Sequence, residues 1–148
     1  MTQTFTPTRP VPPLPGTSLL GLKATTLLEL GNAVLTGFQP AVLEAFGKHL
    51  GLNLGEALGL LGLSESTYHS HRRNRRPINS EISASLYQLS RATEAAEAYF
   101  ENVQDAHLWL QTPRQTFGGK TPLQFALLPG GAEYVTTVLS RLEHGVYT

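Results

Sequence analysis

The chain has 148 residues, of which 41% are hydrophobic and 15% charged, and its 11 Lys and Arg balance its 11 Asp and Glu. This composition is typical of a globular protein with one domain or two small ones, and it excludes a disordered chain. The sequence has no cysteine, which excludes disulfides and thiolate metal sites, and no apolar run approaches the ~20 residues of a membrane span. We see no secretory signal pattern and therefore expect a cytoplasmic protein with no membrane partner.

The zero net charge conceals a gradient along the chain. Residues 1–63 carry three cations and three anions, whereas residues 64–93 carry five arginines against two glutamates, a net +3. Residues 94–148 carry three cations against six acids, a net −3. A cationic segment followed by an anionic one predicts two surfaces with two different partners.

Helix signals dominate after a proline-rich start. Residues 1–16 contain five prolines and little periodicity, which predicts a flexible arm. Apolar periodicity and capping residues then predict helices, with Leu27, Leu28, Val34 and Leu35 as the apolar positions of the first. The predicted helices cover residues 23–36, 40–50, 53–61, 64–73, 79–100, 102–111, 122–127 and 131–144. The predicted fold class is all-α, with one domain at 17–93 and another at 94–148, and the packing of 17–50 stays open.

Residues 53–73 have the pattern of a helix-turn-helix. Asn53 and Glu56 cap a short helix, Gly62 provides a tight turn, and Ser64 caps a second helix. The second helix of such a motif reads base edges in the major groove, and arginines beyond its end lie beside phosphates. A solvated charged turn is the alternative interpretation of the arginines. The residues expected to contact DNA are Ser64, Glu65, Ser66, Thr67, His69, Ser70, Arg72, Arg73, Arg75 and Arg76.

Two other motifs have better structural explanations than chemical ones. His69 and His71 are two residues apart on a helix and point ~200° apart, so we expect no metal site there. The segment "TFGGKTP" lacks the preceding strand and the spacing of a phosphate-binding loop, so its glycines are expected to form a turn before a helix beginning at Pro122. We expect no cofactor, and no nucleophile–base pair indicates an enzyme.

The C-terminal third predicts a small helical module. Its last helix has an apolar face expected to point toward the core, and a second stripe that includes Tyr134, Arg141 and His144. The apolar face consists of Val135, Val138, Leu139 and Leu142. The other core candidates are Trp109, Leu110, Phe117, Leu123, Phe125 and Leu128.

Two sets of motifs resemble the Xre/MbcA/ParS antitoxin family. "LGEALGLLGLSESTY" resembles the Xre-type helix-turn-helix, and "WLQTP", "FGGKTPLQF" and the terminal "LSRLEHGVYT" are similar to the family's toxin-binding domain, with mild departures at Arg114 and Phe117. The resemblance implies a type II antitoxin that occludes a RES-domain, NAD-consuming toxin and represses its own operon by binding operator DNA. It also implies a homodimer and a larger assembly with the toxin. The expected toxin contacts are Tyr134, Arg141, Glu143, His144, Gly145, Val146, Tyr147 and Thr148.

The alternative function is a stand-alone helix-turn-helix repressor whose C-terminal module serves only dimerisation. An antitoxin gene should adjoin a toxin reading frame, whereas a stand-alone repressor gene need not.

Overall fold

The computed structural model describes residues 11–145, and that part of the chain contains eight α-helices, two short 3-10 helices and no strand. The all-α prediction is confirmed. The 3-10 helices are Ser18–Leu20 and Gln115–Phe117. The α-helices are α1 (Leu27–Thr36), α2 (Pro40–His49), α3 (Leu54–Leu61), α4 (Glu65–Arg73), α5 (Ser80–Phe100), α6 (Val103–Leu110), α7 (Pro122–Ala126) and α8 (Gly131–Glu143).

The 21-residue helix α5 organises the core. Leu86 and Leu89 in its first half pack with Leu43 of α2 and Leu61 of α3, while α8 packs against its second half. The helix runs without a break through the predicted domain boundary at residues 93 and 94. The helix-turn-helix part and the C-terminal part therefore share one rigid element. None of the described helices is both long and apolar enough to cross a membrane.

The segment before α1 is anchored where the sequence predicts a flexible arm. The Tyr87 hydroxyl donates to the Pro15 carbonyl at 3.0 Å, and the Gly16 amide donates to the Glu94 carboxylate at 2.9 Å. The buried Ser90 hydroxyl also donates to the Gly16 carbonyl. The prediction is wrong for residues 15–16, because buried polar groups of α5 require partners and this segment supplies them. Residues 1–10 lie outside the described part of the chain.

Several apolar residues of the predicted helices lie on the surface, among them the core candidate Leu128. In α1, the side chains of Leu27, Leu28 and Leu35 are 79%, 74% and 74% exposed, whereas Leu30 is buried. Leu128 after α7 is also exposed. Apolar spacing predicts α1 as a helix. Within the described residues, only the face of α1 that carries Leu30 packs against the rest of the protein, so the apolar residues on its other faces stay exposed.

Candidate functional site

The helix-turn-helix forms as the capping residues predict. The Asn53 side chain accepts from the Glu56 amide at 2.8 Å, and the Glu56 carboxylate accepts from the Asn53 amide at 3.2 Å. Gly62 ends α3 with a φ of 72°, a left-handed conformation that glycine adopts without steric cost. The Ser64 hydroxyl then accepts from the Thr67 amide at 3.2 Å and begins α4. These local interactions fix the turn between the two helices.

Side chains of α4 form hydrogen bonds with a carboxylate of α2. The buried Tyr68 hydroxyl donates to the Glu44 carboxylate at 3.2 Å, and the Arg72 guanidinium pairs with the same carboxylate. The donation from Arg72, followed by that from Tyr68, holds the pKa of Glu44 below its ordinary value, so the carboxylate stays charged. These contacts join α4 to α2 on the Tyr68 and Arg72 side of the helix.

Most of the residues predicted to read bases are exposed on α4. Glu65, Ser66 and His69 are exposed, and Ser70 is half-buried. Ser64 and Thr67 are exposed as well, but their hydroxyls bond each other at 2.8 Å as part of the cap. The structure thus places on one accessible helix the polar side chains that the sequence predicts at a major groove.

The four arginines fall into two environments. All four are exposed, but Arg72 lies within α4 and pairs with Glu44, whereas Arg73, Arg75 and Arg76 lie at and beyond the end of the helix, with Arg76 donating to the Ser70 hydroxyl at 3.5 Å. The helix ends because the Arg76 amide donates to the His71 carbonyl at 2.9 Å and the Arg75 amide to the Arg72 carbonyl at 3.3 Å. This ending places Arg75 at a φ of 50°, where glycine is usual. A side chain in that conformation costs about 1–2 kcal/mol, and Glu101 at the end of α5 adopts it as well, with a φ of 55°.

The C-terminal module is built around an aromatic cluster. Ring centroids lie 5.8 Å apart for Trp109 and Phe117, 5.7 Å for Phe117 and Tyr134, and 5.1 Å for Phe125 and Tyr134. The Arg114 guanidinium lies 5.5 Å from the centre of the Trp109 ring. Tyr134 is half-buried in this cluster, so its ring supports the module and only part of it is available to a partner.

Two consecutive glycines allow α7 and α8 to pack closely. Gly130 caps α8 with a φ of 71°, and a Cβ at Gly131 would lie 1.8 Å from the Phe125 carbonyl oxygen. Backbone atoms cannot move away from such an overlap without separating the two helices. Gly131 therefore has a steric function in the fold, and Gly130 provides the left-handed conformation that begins α8.

Alanine at Gly131 is expected to lower the free energy of unfolding by about 3 kcal/mol, because the added methyl group overlaps the backbone of α7. Chemical denaturation monitored by circular dichroism measures the change. Gly31→Ala is the matched control, since a Cβ there meets nothing within 4 Å and alanine favours a helix. Equal stability of Gly131→Ala and the native chain would contradict the steric explanation.

Two family models match the chain in the order of these two parts. The antitoxin Xre-like helix-turn-helix domain matches residues 29–91, and the antitoxin Xre/MbcA/ParS C-terminal toxin-binding domain matches residues 95–145. The chain belongs to the Xre/MbcA/ParS antitoxin family. No curated protein matches this Xre/MbcA/ParS chain at a significant level. Its two domains are those of a type II antitoxin, a class of non-enzymatic regulatory proteins.

In this Xre/MbcA/ParS antitoxin, four of the predicted toxin contacts lie at the end of α8, whereas Tyr134 lies in its first turn. Arg141, Glu143 and His144 are exposed, and Gly145 follows the helix with a φ of 72°. The His144 ring pairs with the Ser140 carbonyl at 2.8 Å through Nδ1. Val146, Tyr147 and Thr148 lie outside the described residues.

Sequence reasoning missed a shallow groove beside this helix end. The groove runs between α5 and α8 and borders the exposed Glu143. Small residues on α5 leave the space, and their spacing of three along a helix was the available signal. The lining residues are Ala95, Ala98, Tyr99, Thr136, Leu139, Ser140 and Glu143.

Proposed function

We propose that this antitoxin neutralises a RES-domain, NAD-consuming toxin in the cytoplasm with its C-terminal module, and that it represses its own operon by binding operator DNA. The observation that carries the proposal is the separation of two exposed surfaces within one rigid fold. One is the outer face of α4 with the cations after it, and the other is the end of α8 in the acidic part of the chain.

The α4 surface has the chemistry of an operator contact. Hydroxyl, imidazole and carboxylate groups on the face of a helix can form hydrogen bonds with base edges, and the acidic Glu65 suits a cytosine amino group. Arg73, Arg75 and Arg76 extend from the end of that helix, where phosphates flank a major groove. We propose that the polar face selects the sequence and that the arginines supply affinity for any DNA.

The α8 surface has the chemistry of a protein contact. Arg141 and His144 provide exposed hydrogen-bond donors at the end of α8, whereas Ser140 and Glu143 line the groove between α5 and α8. Arginine is among the residue types that dominate binding energy at protein interfaces. From the family resemblance we also propose that Val146, Tyr147 and Thr148 extend this contact into the toxin's NAD-binding site.

Co-expression with the product of the adjacent gene tests the proposal. The native chain is expected to co-purify with a RES-domain protein, to restore growth and to return cellular NAD to its level without toxin. A promoter that is repressed by the chain while no toxin binds it would support the stand-alone repressor instead. Unchanged NAD loss with the antitoxin in excess would contradict neutralisation.

We further propose that the antitoxin acts on DNA as a homodimer formed through α1. Helix-turn-helix proteins read inverted repeats as two-fold pairs with half-sites ~34 Å apart, so a second copy is the occupant that this domain requires. Leu28 and Leu35 are seven residues apart on one exposed face of α1, and the helix-turn-helix domain match that contains α4 begins within this helix, at residue 29. Such an apolar face is typical of the centre of a homodimer interface.

Glutamate at Leu28 is expected to shift the native dimer to a monomer and to reduce operator affinity at least tenfold, because one chain contacts only one half-site. Sedimentation equilibrium and fluorescence anisotropy measure the two effects. Leu108→Glu is the matched control, since Leu108 is also exposed, at 69%, but lies on α6. A Leu28→Glu variant that remains dimeric would contradict the placement of the interface.

A further inference from the structure

Three potential metal ligands converge at the junction of the two domains. The Nε2 atoms of His49 and His107 both face the Glu97 carboxylate, and the ligand atoms of the three side chains lie within 4.8 Å of one another. His107 Nε2 is 3.0 Å from Glu97 Oε1, and His49 Nε2 contacts the same oxygen and lies 3.2 Å from Oε2. The three residues come from α6, α5 and α2, and 48 residues of sequence separate His49 from Glu97.

From this convergence we propose that the antitoxin binds one divalent transition metal ion, of the Zn²⁺ class, through His49, Glu97 and His107. Two imidazole nitrogens and one carboxylate oxygen are a ligand set that Zn²⁺ uses when it leaves a fourth position open. The set contains no thiolate, which matches the absence of cysteine from the chain.

The distances suit a metal after a small adjustment. Ligand bonds of ~2.0–2.2 Å in a tetrahedral site separate neighbouring ligand atoms by about 3.3 Å. The 3.0 Å between His107 Nε2 and Glu97 Oε1 is close to this value. Since no two of the three ligand atoms are more than 4.8 Å apart, each side chain has to move by about an ångström or less to bind an ion. The two rings are edge-to-face, with centroids 5.1 Å apart, so each Nε2 reaches the carboxylate from a different direction.

The burial of the cluster also suits an ion with one open position. The Glu97 and His107 side chains are 16% and 12% exposed, which fixes them against the core, whereas His49 is 35% exposed. A fourth ligand such as water can therefore reach the group from the His49 side. A metal bound at Nε2 leaves the proton of each neutral imidazole on Nδ1.

The position of the cluster defines what an ion would do. His49 ends α2 in the helix-turn-helix domain, and Glu97 and His107 lie in the toxin-binding domain. An ion held by all three ties the two domains together, and because it binds only the folded state it raises stability by mass action. This function does not depend on the identity of the toxin or the operator.

Titration of the full-length, untagged, chelator-treated chain with Zn²⁺ against a chromogenic chelator tests the site. We expect one Zn²⁺ per chain, a higher midpoint of thermal unfolding with Zn²⁺, and visible absorption bands of tetrahedral Co²⁺ when Co²⁺ replaces it. Glu97→Gln and His107→Gln are expected to reduce the affinity at least about 100-fold, since even residues outside the ligand set contribute 10–100-fold. His49→Gln, which alters the most exposed of the three side chains, should do the same in a chain that folds normally.

His69→Gln is the matched control, because His69 is an exposed histidine of α4 and is not one of the three proposed ligands. Its Zn²⁺ affinity should equal that of the native chain. The proposal is overturned if no saturation occurs at one equivalent, or if His69→Gln weakens binding as much as His49→Gln does. Unchanged binding by His49→Gln and Glu97→Gln would also overturn it and leave the three residues as a hydrogen-bonded cluster.

Discussion

Alanine at Arg73, Arg75 and Arg76 together is expected to weaken binding to operator and unrelated DNA alike. Each lost phosphate contact should reduce the slope of log K against log salt concentration by about 0.9, and three should reduce it by about 2.7 for each chain. Between about 50 and 200 mM salt, that difference alone corresponds to roughly 40-fold in affinity. Fluorescence anisotropy over this salt range measures both quantities. An unchanged slope would contradict the assignment of these arginines to phosphates.

Arg72 is the internal comparison within the same cationic segment. Its guanidinium is held by Glu44 beneath α4, so Arg72→Ala should disturb the orientation of the helix as well as remove a charge. We therefore expect Arg72→Ala to alter sequence preference, whereas Arg73→Ala should weaken all sequences equally. Equal effects of the two variants on operator and unrelated DNA would contradict this distinction.

Glycine at Arg75 separates backbone strain from charge. Since Arg75 occupies a left-handed conformation, Arg75→Gly should leave the free energy of unfolding unchanged or raise it by up to about 1 kcal/mol, while DNA affinity falls.

Alanine at Arg141 is expected to weaken toxin binding by about 2 kcal/mol or more, roughly 30-fold, because an arginine at the centre of an interface commonly contributes this much. Arg141 is exposed on α8, so its removal should not change the midpoint of thermal unfolding. Calorimetric titration with the purified toxin measures the affinity. Lys120→Ala, which removes an exposed cation elsewhere in the same module, is the control and should bind normally. Native toxin affinity in Arg141→Ala would contradict a contact at this end of α8.

Local signals in the sequence determine most of the helices. Asn53, Ser64 and Thr121 act as caps within a few residues of their partners, so they could be interpreted without tertiary information. The apolar face of α8 was likewise predictable, since Val135, Val138 and Leu139 are buried as their spacing requires.

Interactions between distant residues could not be predicted in this way. Arg72 appears in the sequence as one of four equivalent cations, and only the packing of α2 beneath α4 brings Glu44 to it. Tyr134 appears as part of a surface stripe until the ring of Phe117 is found beside it. His49 and Glu97 have no sequence relationship that would indicate a shared site.

The α4 surface and the end of α8 are expected to act independently although they belong to one rigid chain. Because α5 runs through the domain boundary, point variants test this claim better than fragments cut within that helix. The decisive measurement is the affinity of Arg73→Ala and Arg141→Ala for both the operator and the purified toxin. We predict that Arg73→Ala loses affinity only for DNA and that Arg141→Ala loses affinity only for the toxin. A loss of toxin affinity in Arg73→Ala, or of DNA affinity in Arg141→Ala, would contradict the account.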